Sequence, residues 1–268
     1  ESQFEMLKKL EISKKQNHVL ADYCKANSIM FLTTPFDEQS LQELDEFDLP
    51  AYKVASTDTT NLLFLRKIAS KNKPVLLSTG MSYFSEIEKT LQDILPINQD
   101  VVLFQCTSNY PVKNKEVNLR VLKTFSDKFN IITAFSDHTE GIGASPYAVA
   151  AGAKIIEKHF TLDKSAKGPD HKTSFNTKEL KEFVKEIRKV DEFMGNSIKH
   201  PTLSEIGTRN SLQKCLVATK KIKKGKAFTS KNIIAKRTGG LGIPAIHSLD
   251  ILGEVAKKDF GKDEIIEL

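Results

Sequence analysis

Pro74-Val75-Leu76-Leu77-Ser78-Thr79-Gly80 is the stretch on which the fold turns. A short apolar run closes on two hydroxyls and a glycine, and an amphipathic stretch over residues 86–94 follows it. That length and texture suit a strand buried on both faces, as in a parallel sheet. Working outward, the rhythm recurs in residues 29–34 (IMFLTT), 51–56 (AYKVAS), 101–107 (VVLFQCT), 130–136 (NIITAFS) and 153–160 (AKIIEKHF). Each run is rich in β-branched or aromatic side chains and leads into polar residues, then into a helical pattern such as 40–47. Six such signals at intervals of about 20 to 30 residues predict βαβ units of an α/β fold, a (β/α)8 TIM-type barrel. Since that barrel has eight strands, the six runs are expected to be strands 3–8, with the first two βα units preceding Glu1. The absence of an initiator Met, a helix-like Phe4, Met6, Leu7 and Leu10, and a helix predicted around residues 14–27 fit a chain that begins mid-protein.

Residues 176–195 predict one more amphipathic helix, capped by Asn176 or Thr177 and closed by Gly195. Residues 196–210, with Pro201 and Gly207, read as a linker. Beyond them, residues 211–268 are short strand-like pieces, glycine turns and many lysines, and Lys221–Phe228 is loosely echoed by Lys258–Ile265. The division expected is a barrel domain over 1–195, a linker over 196–210 and a small pseudo-symmetric β-domain over 211–268.

With 40% hydrophobic and 28% charged residues the chain can bury a core. The net charge of +6 is spread along helical stretches such as 178–188, without the basic stripe interleaved with aromatics that nucleic acid would require; an anionic small substrate suits it better. Cys24, Cys106 and Cys215 are odd in number and far apart, which suggests neither a disulfide framework nor a thiolate metal site and fits a reducing cytoplasm. No apolar run approaches the ~18 residues of a membrane span, and no signal peptide opens the chain.

Parallel barrels place reactive groups at the C-terminal ends of their strands. Those positions hold Thr33-Thr34-Pro35-Phe36, Lys53 with Ser56 and Asp58, Ser78-Thr79-Gly80, Thr107-Ser108-Asn109-Tyr110-Pro111, Ser136-Asp137-His138 and Glu157-Lys158-His159. A lysine, several hydroxyls and a glycine converging on one mouth would form a phosphate or carboxylate site through charge-assisted hydrogen bonds. His138 and His159 end adjacent strands, a placement that suits two ligands of one divalent cation such as Mn, Zn, Fe or Co with positions left open for water and substrate. The bland alternatives are histidines that merely bond neighbouring loops, a satisfied Lys53 and an outward-facing Lys158.

Thr-Thr-Pro-Phe at 33–36, Pro-Ala-Tyr-Lys at 50–53, Ser-Thr-Gly-Met at 78–81, Cys-Thr-Ser-Asn-Tyr-Pro at 106–111, Phe-Ser-Asp-His-Thr at 135–139, Glu-Lys-His-Phe-Thr at 157–161 and Gly-Pro-Asp-His-Lys at 168–172 together resemble the N-acetylneuraminate (sialic acid) synthase family, legionaminic acid synthases included. The tail, through Ile222-Lys223-Lys224-Gly225, Ala235-Lys236-Arg237 and Leu252-Gly253, resembles the antifreeze-like or SAF domain of the same enzymes. The resemblance implies condensation of phosphoenolpyruvate with N-acetylmannosamine or a related 2,4-diacetamido sugar to a nonulosonic acid and phosphate. It implies that Lys53, Ser56, Ser78 and Gly80 hold the phosphate, that Thr34, Ser108 and Ser136 face phosphoenolpyruvate, and that His138 and His159 bind Mn²⁺. Tyr110, Asp170 and Asp58 would meet the N-acetylated sugar, joined by Arg237 from the partner of a homodimer with swapped SAF domains.

The family often carries Glu where Asp58 stands and Asn where Ser108 stands, so the contacts to both substrates are expected to be shifted. Its catalytic Glu and a substrate-binding Lys precede the first residue here, so a chain beginning at Glu1 is expected to be inactive. Two other readings compete: a Schiff-base aldolase of a 2-keto acid using Lys53 or Lys158, and a non-catalytic carbohydrate-binding protein. The second leaves the gathering of Lys53, His138 and His159 at strand ends without a reason.

Overall fold

The computed structural model describes residues 2–267 and divides into two compact units, 1–195 and 196–268. In the first, five of the six apolar runs are strands: β1 (Tyr52–Val54), β2 (Val75–Ser78), β3 (Val101–Gln105), β4 (Ile132–Asp137) and β5 (Ile155–Lys158). They pair in sequence order, all parallel. Between them run α4 (Leu62–Ala69), α5 (Phe84–Ile94), α6 (Arg120–Phe129) and α7 (Ser145–Ala150), and α8 (Thr177–Met194) follows β5. Ahead of β1 lie α1 (Gln3–Leu10), α2 (Lys14–Ala26) and α3 (Glu38–Glu43). Reciprocal side-chain caps start α2 and α8: Ser13 with Gln16, and Asn176 with Glu179.

Strand alternation gives the sheet two faces. Tyr52, Val54, Val75, Leu77, Val101 and Leu103 pack with Phe64, Leu65, Ile68, Ile87, Leu91, Ile94 and Phe125 of the covering helices. Each such side chain contributes roughly 1.5–3 kcal/mol on burial, so this helix-side layer dominates the stability of the unit. The opposite face carries a smaller apolar layer, Ala51, Leu76, Val102, Phe104 and Ala134, beneath the polar strand ends. In a flat sheet the two edge strands would stand roughly 19 Å apart, four inter-strand spacings. Lys53 on β1 and Glu157 on β5 nevertheless lie 3.4 Å apart (Nζ to Oε1), so the sheet curls with the small layer inside.

Two expectations need correction. The run at 29–34 is extended but forms no ladder, and Ile29, Met30 and Leu32 are exposed; Phe31 alone packs on the core. A buried strand needs a partner's hydrogen bonds and covering side chains, and among the described residues this run has no ladder and only Phe31 on the core. Among the described residues the sheet therefore has five strands, an α/β half-barrel, not six of eight. Part of the stretch read as linker is helical: α9 (Leu203–Leu212) is capped by Thr202 and Glu205.

In the second unit β6 (Lys214–Ala218) and β7 (Ile233–Arg237) pair antiparallel, and the short α10 (Ser248–Ile251) follows. The internal echo is real but offset by one position from the sequence alignment. Ile222 pairs with Phe260, and Gly225 (φ +82°) matches Asp263 (φ +65°) in the following turn. Phe228 and Ile266 close the two copies in one core.

Candidate functional site

At the C-terminal ends of the strands the inner face turns polar. Lys53, whose side chain is 13% exposed, donates from Nζ to Ser78 Oγ at 2.7 Å and to the Val54 carbonyl at 3.2 Å, and pairs with Glu157. Beside it the Gly80 N–H donates to Ser56 Oγ at 2.9 Å, and that hydroxyl lies 3.2 Å from Cys106 Sγ. A Cβ built on Gly80 would fall 2.3 Å from Ser108 Oγ, 2.9 Å from Ser56 Oγ and 3.0 Å from Cys106 Sγ. The glycine thus lets three polar side chains close over one backbone N–H. Thr59 locks the floor, its hydroxyl within bonding distance of the Ser78 and Ser56 carbonyls. A cation, a ring of hydroxyls and a backbone amide at the mouth of a parallel sheet can bind an anion.

His138 and His159 follow β4 and β5 by one residue each, on the same inward phase as Ser136 and Glu157. The His138 Nδ1 lies 2.8 Å from the Thr107 carbonyl; a carbonyl only accepts, so Nδ1 carries the proton and Nε2 keeps its lone pair, with Ser136 Oγ at 3.3 Å. Burial pushes the His138 pKa down against that hydrogen bond, which keeps the ring neutral near pH 7. The two imidazole centroids are 5.4 Å apart. With a metal–nitrogen bond of about 2.1 Å, two imidazoles on one ion at 90–110° have centroids roughly 4.5–5.5 Å apart, so the pair fits a shared divalent cation. Among the described residues no group of three or more His, Cys, Asp or Glu is placed to hold a metal.

Tyr110 stands over both histidines, 4.1 Å from the His138 ring and 5.4 Å from that of His159. Its phenol is pushed up to about 12 by burial and by the carboxylate of Asp170, so it stays a proton-bearing donor. Asp170 Oδ2 lies 3.7 Å from His159 Nδ1. Asp58, buried after β1, accepts from Asn61 Nδ2 at 3.0 Å and Thr57 Oγ1 at 3.2 Å.

The structure brings together Lys53, Ser56, Ser78, Gly80 and Ser108 as one cluster, and Ser136, His138, His159, Tyr110 and Asp170 as another. The Lys53–Glu157 pair joins them. Thr34 sits half-buried in the unladdered stretch 29–34, and Arg237 is exposed at the end of β7 in the other unit. Lys158 faces outward from the mouth, as the bland reading has it, but it is buried on the helix side with its side chain 4% exposed, so it offers no nucleophile to the mouth. Two residues quoted in the sequence motifs are given no role there. Glu157 and Cys106 both follow from strand alternation, two positions before His159 and two after Phe104.

Residues 1–199 match the NeuB family and residues 213–267 the SAF domain. The chain is 43% identical over 270 residues to the N,N'-diacetyllegionaminic acid synthase of Campylobacter jejuni, covering 99% of this chain and 80% of that one. It is 34% identical to the human N-acetylneuraminate-9-phosphate synthase, covering 96% of this chain and 72% of that one. Among solved structures it resembles the N-acetylneuraminic acid (sialic acid) synthetase of Leptospira borgpetersenii, determined in complex with citrate, at a TM-score of 0.73 and 34% identity over 78% of this chain and 74% of that one. Among the described residues no helix is long and apolar enough to cross a membrane.

Proposed function

Because this chain belongs to the NeuB family and carries a SAF domain, we propose that it condenses phosphoenolpyruvate with an N-acetylated amino sugar, N-acetylmannosamine or a 2,4-diacetamido relative. The products are a nonulosonic acid and inorganic phosphate. One observation carries the reading: the lysine, hydroxyl and glycine cradle faces the two-histidine pair across the Lys53–Glu157 contact. In this reading Lys53, Ser56, Ser78 and the Gly80 N–H hold the phosphate, and Thr34, Ser108 and Ser136 border the enol and carboxylate. His138 and His159 hold Mn²⁺ or a similar cation, which when bound polarises the aldehyde oxygen of the sugar. Carbon C3 of the enol attacks the aldehyde carbon, water adds at C2, and the phosphate leaves into the Lys53 cradle. Tyr110, a phenol at neutral pH, donates its hydroxyl proton to a sugar oxygen, while Asp58 and Asp170 accept from sugar hydroxyl or amide groups. Arg237 of a partner subunit completes the acceptor site in a homodimer, its planar fork suited to acyl or hydroxyl oxygens.

The test is product analysis with the full-length protein, phosphoenolpyruvate, Mn²⁺ and each acceptor in turn. Phosphate release with a product of the summed mass plus one water less phosphoric acid supports the proposal, and EDTA or His138→Ala should abolish it. Full activity in a metal-stripped sample, or no condensation with either acceptor, overturns it.

A further inference from the structure

Behind the two histidines lies a charged pair that no step above uses. Asp137 and Lys158 are the last register partners of β4 and β5, one residue before His138 and His159. Alternation turns the histidines inward and this pair to the helix side, where the side chains are 0% and 4% exposed. Asp137 is saturated: Oδ1 accepts from the Thr139 N–H at 2.8 Å and its hydroxyl at 2.6 Å, and Oδ2 from the Ser145 N–H at 3.1 Å and its hydroxyl at 2.5 Å. Lys158 Nζ donates to the Thr139 carbonyl, lies 3.5 Å from Asp137 Oδ1 and stands 5.0 Å over the Phe175 ring. Phe175 in turn donates its N–H to the His159 carbonyl at 3.0 Å. The ammonium therefore ties the residue after His138 to the residue that holds the His159 backbone. Gly143 packs into the same knot, since a Cβ there would fall 1.7 Å from Thr139 Oγ1.

A buried ion pair is a weak source of stability, because desolvating both charges offsets most of their attraction and an apolar replacement of similar volume is often neutral or better. Geometry is the better reason for it. A metal site tolerates about 0.5 Å of error in its ligands, and the strands no longer pair beyond Asp137 and Lys158. We propose that Asp137 and Lys158 are a positioning pair that holds His138 and His159 at the separation where both reach one divalent cation. The inference rests on the reading of those histidines as metal ligands.

Mn²⁺ titrated into the metal-stripped full-length protein, with the free ion followed by its electron paramagnetic resonance signal, tests it without any assay of activity. Lys158→Met should raise the Kd for Mn²⁺ about 10- to 100-fold. The double variant Asp137→Asn, Lys158→Met leaves no uncompensated charge, so its thermal midpoint should rise above that of Lys158→Met while its Mn²⁺ Kd stays raised. The midpoint should stay short of the unmodified protein's, because the amide nitrogen introduced at position 137 cannot accept from one of the two backbone N–H groups. That split separates positioning from mere stability, and the double variant serves where the single one fails to fold. If either folded variant binds Mn²⁺ within twofold of the unmodified protein while His138→Ala does not, the pair does not position the histidines and the metal reading stands. If the unmodified protein binds no tighter than His138→Ala, the metal reading and this inference fall together.

Discussion

Gly80→Ala offers a test of the cradle that needs no knowledge of the acceptor. The φ of Gly80 lies outside the left-handed region, so the backbone accepts a Cβ without strain and any cost comes from its neighbours. Ser108 Oγ, 2.3 Å from the added carbon, must retreat by roughly an ångström to reach ordinary van der Waals contact, and Ser56 Oγ at 2.9 Å by about half of that. Overpacking of this kind costs about 1–3 kcal/mol, and stretching the Gly80 to Ser56 hydrogen bond adds about 1 kcal/mol. Urea unfolding should therefore show a loss of about 2–4 kcal/mol. Displacing one or both hydroxyls removes about 1–2 kcal/mol of phosphoenolpyruvate binding, a rise of roughly 5- to 30-fold in its KM with the sugar KM little changed. Gly207→Ala, in α9 with nothing within 4 Å, is the control and should be neutral or stabilising by up to about 1 kcal/mol. An unchanged midpoint together with an unchanged phosphoenolpyruvate KM in Gly80→Ala would refute the argument that this glycine is the hub of an anion site.

Lys53→Met should raise the phosphoenolpyruvate KM about 10- to 100-fold, the loss of one charge-assisted contact, and steady-state kinetics with the sugar saturating will show whether it does. The buried His138 has a pKa below the 6.5 of an unfolded histidine, so between the two values the unfolded chain binds more protons. Metal-stripped protein should thus lose stability as pH falls through about 6.5 and level off below the folded value, and His138→Gln should flatten that slope in denaturation midpoints taken from pH 8 to 5. Mixing Arg237→Ala with His138→Ala protein under subunit exchange should restore partial activity if the arginine acts across a dimer. Mixed dimers with no activity would assign it to its own subunit or to no role.

Much of the site could be read from the chain because strand ends in a parallel sheet expose their closing residues by rule. Lys53, Ser78, His138 and His159 all lie where that rule puts them. A run of apolar letters says nothing of which partner, if any, a strand will find. Residues 29–34 have the letters of a strand without a ladder, and part of 196–210, polar enough to read as linker, lies in a helix that opens on a Thr202–Glu205 cap. Lys158 needed phase as well as position: counted from His159 it must point the other way, and Glu157 the same way. Tyr110 and Asp170 are singled out only through the family resemblance, because they sit on loops whose approach to the histidines depends on tertiary packing.

The contact between Lys53 and Glu157 also bears on how the unit folds. Each strand pairs with a neighbour 21 to 30 residues further on, a series of short closures that can form one after another. Lys53 and Glu157 are 104 positions apart and meet only when all five strands are in place and the curl is complete. Loop-closure entropy delays such a contact until the local units have formed. An anion held by that lysine would then bind the finished half-barrel and not its partly folded precursors, which makes ligand protection of the mouth a direct measure of how much of a preparation has reached the native state.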